Sequence, residues 1–220
     1  MRVGRLAVVI CTAVASVVTS GVARAQTTSA LVLETSGATV PHLQPYNEIP
    51  VGTTVSLPKG DRLVFQHYAT CRTVTVVGGA VTFDANAYTL AGGTKESHVR
   101  NPCPRTVALR AGGEMAGALL RGDPPVSTLS TRPSFVLVGQ RAGDFASVRV
   151  SKEGKEVLAA PLEGRRFRWP MGAALLAKDA EYELALVPRA AGADPVTMRF
   201  RVKAPSADSS SEALTLVKVE

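Results

Sequence analysis

Apolar residues in this chain recur at every second position, in short runs of four to seven residues, and show no sustained helical period. The runs LVLET (31–35), TVSL (54–57), RLVFQHY (62–68), TVTVV (73–77) and AVTF (80–83) form a first set. A second set comprises SFVLVG (134–139), ASVRVSK (146–152), KEVLAA (155–160), RFRW (166–169), EYELALV (181–187), VTMRFRV (196–202) and ALTLVKV (213–219). A period of two sends successive side chains to opposite faces, as a half-buried strand requires. Turn chemistry separates the runs: PKGD at 58–61, Gly78-Gly79, Gly92-Gly93 and KEGK at 152–155. Gly78-Gly79 lies between two β-branched runs, which predicts a hairpin turn because both positions can take positive φ. The segments 112–120 and 171–178 could form short helices, yet each barely reaches two turns and reads equally well as an irregular connection.

The expected fold is all-β, a small N-terminal β-rich domain followed by a C-terminal β-sandwich. The boundary is placed at GDPPV (122–126), because two prolines cannot donate to a sheet ladder and each restricts the residue before it. The units are then 27–122 and 126–220.

Residues 1–25 are expected to be a cleaved signal peptide. Arg2 and Arg5 precede an apolar run of 13 residues (6–18), and Ala23-Arg24-Ala25 supplies small residues for cleavage. The run is too short to cross a bilayer of about 30 Å as a helix, so no membrane span is expected after cleavage. The protein is therefore expected in a bacterial periplasm or outside the cell. Of 25 Lys and Arg, three (Arg2, Arg5, Arg24) leave with the signal, so 22 remain against 18 acids, a net charge of +4. That mild balance, without a basic run, argues against nucleic acid as a partner. GRRFRWP (164–170) alternates arginine with aromatic residues and reads as an exposed strand.

SGATV, VGTTVSLPKGDRLVF and CRTVTVVGGAVTF share a rhythm of short strands and Gly-centred turns. It is similar to FecR-type periplasmic β-repeat domains over about 37–100, with Gly52, Leu57, Gly60, Asp61, Leu63 and Gly79 at the matching positions. That resemblance implies a non-catalytic module that signals or assembles through contacts. In LAKDAEYEL (176–184), Leu176 stands six residues before Tyr182, ahead of an alternating strand. This resembles the tyrosine corner of immunoglobulin and fibronectin type III sandwiches, and the likeness covers about 126–205. It implies an Ig-like scaffold with Tyr182 and Leu176 as structural residues. Trp169, which follows the third strand of the set, is read as structural too. The scaffold implies no activity, because it hosts many functions.

The residues with chemistry are few. After signal cleavage two cysteines remain, Cys71 in HYATC and Cys103 in HVRNPC, each preceded by a histidine, His67 and His98. An even count in an oxidising compartment argues first for a Cys71–Cys103 disulfide. It would close a loop of 31 residues, worth about 3–4 kcal/mol on the chain-entropy model. The alternative is a metal site or small hydrolytic centre built from His67, Cys71, His98 and Cys103, since two imidazoles and two thiolates suit zinc. On the disulfide reading His67 shares a face with Leu63 and Phe65, while His98 sits in a polar loop spanning 84–102. The chain carries no G-x-S-x-G, H-E-x-x-H, P-loop or EF-hand pattern. The function expected is thus non-enzymatic, without a cofactor: an envelope module that binds a protein or other envelope component.

Overall fold

The computed structural model describes residues 27–109, 127–203 and 214–219, and the chain is all-β. The proposed signal, the 112–120 segment and the GDPPV boundary lie outside the described residues.

The first unit is one antiparallel sheet of β1 (Thr28–Ser36), β2 (Glu48–Pro50), β3 (Thr54–His67), β4 (Arg72–Phe83), β5 (Tyr88–Ala91) and β6 (Thr94–Arg100). Its order is β2-β1-β3-β4-β5, and β6 also pairs with β4. Runs read separately in the sequence are halves of longer strands. TVSL and RLVFQHY join through PKGD into β3, whose register on β4 shifts between Leu57 and Arg62. Gly78-Gly79 is no hairpin turn either: β4 runs straight through it, and the chain reverses instead at 68–71. The flanking runs do not pair with each other, because β3 and the β5–β6 edge hold both in line. Positive φ at Gly78, Gly79, Gly92 and Gly93 makes a bulged bend across the sheet. The bend folds the sheet onto its own core, where Phe83 and Tyr88 meet Phe65 edge-on at 4.8 and 5.2 Å. The segment 84–102, expected as a loop, contributes β5 and β6. An edge strand keeps its outer side wet, so it forms with few core residues.

The second unit packs two sheets over one core. The larger follows the order β11 (Lys155–Pro161), β10 (Phe145–Lys152), β13 (Glu181–Pro188), β14 (Val196–Val202), β8 (Ser127–Leu129). The smaller is β12 (Arg166–Arg168), β9 (Ser134–Val138), β15 (Thr215–Val219), β7 (Arg105–Leu109). β14 alternates buried and exposed along its whole length, giving Val196, Met198, Phe200 and Val202 to the core. β7 precedes the expected 122–126 boundary, yet it belongs to this unit, parallel to β15. β15 is itself an inner strand, parallel to β9 on its other side. The backbone N–H of Ala177 donates to the Tyr182 hydroxyl at 2.9 Å, and Tyr182 stacks on Phe200. Leu176 and Trp169 are buried in the same core. Residues 171–178 form turns and extended chain, not a helix.

Three strands are buried on both faces, and this joins the units. On β9 and β15, Phe135, Leu137, Val217 and Val219 enter the sandwich core. Val136, Val138 and Leu216 point the other way and cluster with Leu31 of β1. Ala30 and Val32, either side of Leu31, fill the first unit's core.

Candidate functional site

Two of the four His/Cys residues are taken up in one covalent bond. Cys71 and Cys103 are joined as a disulfide, so neither offers a thiolate. His67 is fully buried on the Leu63–Phe65 face of β3, its ring set edge-on to Tyr88 with centroids 5.6 Å apart. Its Nδ1 is 3.0 Å from the Thr70 hydroxyl, and its Nε2 meets no polar partner. His98 is not in a loop: its backbone pairs with Val74 across β4 and β6. Among the described residues, no three His, Cys, Asp or Glu side chains stand together as a metal cage.

The disulfide has a clear mechanical place. Cys71 closes the turn after β3, and Cys103 lies in the connection from β6 to β7, where the chain leaves one unit for the other. Asn101 reinforces the crossing: its N–H donates to the Cys71 carbonyl at 2.9 Å and its amide to Thr73 Oγ1 at 2.6 Å.

Beside this crossing, a cleft of about 1030 Å³ opens between the units. The first unit's wall includes Asn47, Glu48 and Tyr68; the sandwich wall includes Arg141, Arg165 and Lys218. Cys103 and Pro104 also line it, and Leu43, Pro50, Leu216 and Val219 make it partly apolar. Local structure places each charged group. β2 is an edge strand and turns Glu48 toward the cleft, where the Tyr68 hydroxyl donates to Glu48 Oε1 at 3.4 Å. Burial pushes the Tyr68 phenol well above its usual range, and the Glu48 carboxylate beside it pushes the same way. Arg141 sits on the 3-10 turn Gln140–Gly143 that follows β9, with Nε 3.5 Å from Asp144 Oδ2. Arg165 reaches across the seam and donates to the Tyr46 carbonyl at 3.4 Å. Lys218 projects from β15.

The chain matches no protein-family model, no curated protein and no solved structure. The cleft therefore has to be read from its own chemistry. The cleft walls carry three cations and one carboxylate, with polar and apolar side chains between them.

Of the charged cleft residues, only Arg165, within GRRFRWP, falls in a stretch that stands out in the sequence. Glu48, Arg141, Arg165 and Lys218 are scattered over 170 positions, and only the packing of the two units gathers them. A usable signal was present in SFVLV, where four consecutive buried residues mark a strand covered on both faces. GRRFRWP does alternate: Phe167 is buried, Arg168 is exposed, and Arg165 turns into the cleft.

Proposed function

We propose that this protein is a non-enzymatic, exported component of a bacterial envelope, periplasmic or secreted, and that it works by binding a protein or another envelope component in the cleft between its units. The observation that carries this reading is the cleft itself, walled by both units and furnished with charged groups on each side. The features of residues 1–25 support export, and a disulfide is at home in an oxidising compartment. The likeness to FecR-type repeats in the first unit agrees with a module that acts through contacts. For the second unit, the Ala177–Tyr182 bond is the contact that an Ig-like tyrosine corner calls for.

Site-specific photo-crosslinking in the producing cell tests the proposal. A photoreactive residue at Gln140, on the cleft rim, is expected to give a discrete adduct, whereas one at Glu156 on β11 gives none. Equal adducts from both positions, or none from Gln140, would overturn it.

A further inference from the structure

We infer that the loop 170–178, at one end of the sandwich, docks on an anionic lipid surface, with its apolar tip in the headgroup boundary and a rim of cations on the lipid phosphates. This surface is separate from the cleft, which none of the loop's residues lines. PMGAALLA (170–177) runs for eight residues without a charged or hydrogen-bonding side chain. Met171 is 99% exposed and Leu175 56% exposed. Single exposed apolar residues are common, but this tip is held out by what flanks it. Trp169 before it and Leu176 after it are buried in the sandwich core. The Ala173 N–H donates to the Pro170 carbonyl at 3.2 Å, and the Leu176 N–H to the Thr131 carbonyl at 3.1 Å. The Ala177 N–H is fixed on the Tyr182 hydroxyl. A tip ordered in advance enters a lipid boundary with little further loss of loop entropy.

The same backbone bonds gather cations around the tip. Arg132 follows Thr131, and Arg168 pairs with Ser134 where β12 meets β9. Lys178 precedes Asp179, whose N–H donates to the Val202 carbonyl, and the next N–H, of Lys203, donates to the Leu129 carbonyl. Arg132, Arg168, Lys178 and Lys203 are all exposed, and none is in an ion pair among the described residues. Asp179 is the one acid beside the loop, and Glu181 beyond it is tied to Arg201 at 2.6 Å. The β10–β11 hairpin, whose Gly154 lines a hollow with Ala180 and Glu181, adds Lys152 and Lys155 against Glu153. An uncharged apolar centre inside a cationic rim suits a bilayer boundary, where apolar burial and attraction to anionic headgroups add. A protein partner would be held by about one hydrogen bond per 100–200 Å² of contact, and the tip has no side chain to make one. An acidic polymer would use the cations and leave Met171 and Leu175 in water.

The test is co-sedimentation of the mature chain with vesicles of equal parts phosphatidylglycerol and phosphatidylcholine, or of phosphatidylcholine alone. The anionic vesicles should bind about tenfold or more tightly than the neutral ones, an advantage that shrinks in high salt. Arg168→Gln with Lys178→Gln should weaken this binding about 25-fold, at about fivefold for each cation near the surface. Met171→Ser with Leu175→Ser should weaken it about tenfold, with the melting temperature unchanged because both side chains are exposed. Insertion is read directly from Met171→Trp. Its emission should shift to the blue on anionic vesicles and be quenched by brominated acyl chains, whereas the wild type, with Trp169 buried, should not respond. Equal binding to the two vesicle types, or no binding to either, overturns the inference. A serine variant that binds like the wild type also overturns it, because contact would then be electrostatic without insertion. So does a dimer in sedimentation velocity that the serine variant loses, since the tip's occupant would then be a second copy of the chain.

Discussion

The carbonyl oxygen of Gly92 lies 2.5 Å from the point where Gly79 would carry a Cβ, so Gly79 of β4 and Gly92, in the turn between β5 and β6, hold the bend of the first sheet in backbone contact. Alanine at 79 would face that carbonyl and also a φ of +79°. Gly60 has a φ of +90° with nothing within 4 Å of its would-be Cβ. Gly60→Ala should therefore show only the left-handed penalty of about 1–2 kcal/mol. Gly79→Ala should lose clearly more, because backbone cannot step aside as a side chain can. Urea titration of the two variants provides the comparison, and equal losses would mean that the Gly79–Gly92 contact does not shape the sheet.

Reduction of Cys71–Cys103 should destabilise the protein through the freed loop rather than through lost contacts. The closed loop of 31 residues corresponds to about 3–4 kcal/mol, or a fall in Tm of about 10 °C for a chain of this size. Thermal melts of the Cys71→Ser, Cys103→Ser double variant measure it. A change below about 2 °C would show that Asn101, bonded to Cys71 and Thr73, holds the crossing unaided.

How much of this was legible in the sequence depends on distance along the chain. Period-two alternation in VTMRFRV and EYELALV announced strands whose faces the structure confirms residue by residue. The Cys71–Cys103 pairing followed from parity and an expected oxidising compartment alone. Gly78-Gly79 misled, because positive φ serves a hairpin and a bulge equally well and the difference lies in which strands stand alongside. β6 was hidden for a related reason: TKESHVR has hardly any apolar face, and β4 supplies its order. The cleft was out of reach altogether, since Glu48 and Lys218 come to line one cleft only through the docking of Leu31 on Val136, Val138 and Leu216.

Alkali should destabilise the protein through Tyr68. Its phenol is raised in the folded state by burial first and by Glu48 second. The folded chain then keeps a proton that the unfolded chain releases near pH 10. The contribution is complete below that pH and is lost as pH rises above it, by up to about 1.4 kcal/mol per pH unit. Tyr68→Phe should flatten the alkaline limb of a stability profile measured from pH 8 to 11. An unchanged slope would mean that the phenol is not protected by the fold.

Loss of the Tyr182 hydroxyl should be felt in the sandwich alone. Tyr182→Phe keeps the stacking on Phe200 but leaves the Ala177 N–H without its acceptor, at a cost of about 1–2 kcal/mol. Hydrogen exchange locates the effect: faster exchange is expected across β13 and β14, with the amides of β3 and β4 unchanged. Uniform acceleration in both units would show instead that they unfold as one.

Removal of β15 should abolish the sandwich rather than weaken it. Leu216, Val217 and Val219 are all buried, two in the sandwich core and one against Leu31. Truncating a buried side chain of this kind costs about 2–5 kcal/mol, so losing three approaches the whole stability of about 5–15 kcal/mol for a typical domain. The cut also bares the inner edges of β9 and β7, which pair with β15 from either side, and bare edges aggregate. A chain stopped before Leu214 is expected to be insoluble or to lack a cooperative melt. Supplying a peptide of residues 214–220 during refolding should restore soluble protein, because its strand slot is defined by parallel neighbours on both sides. A truncated chain that melts at the full-length temperature would show that β9 and β7 close up without it.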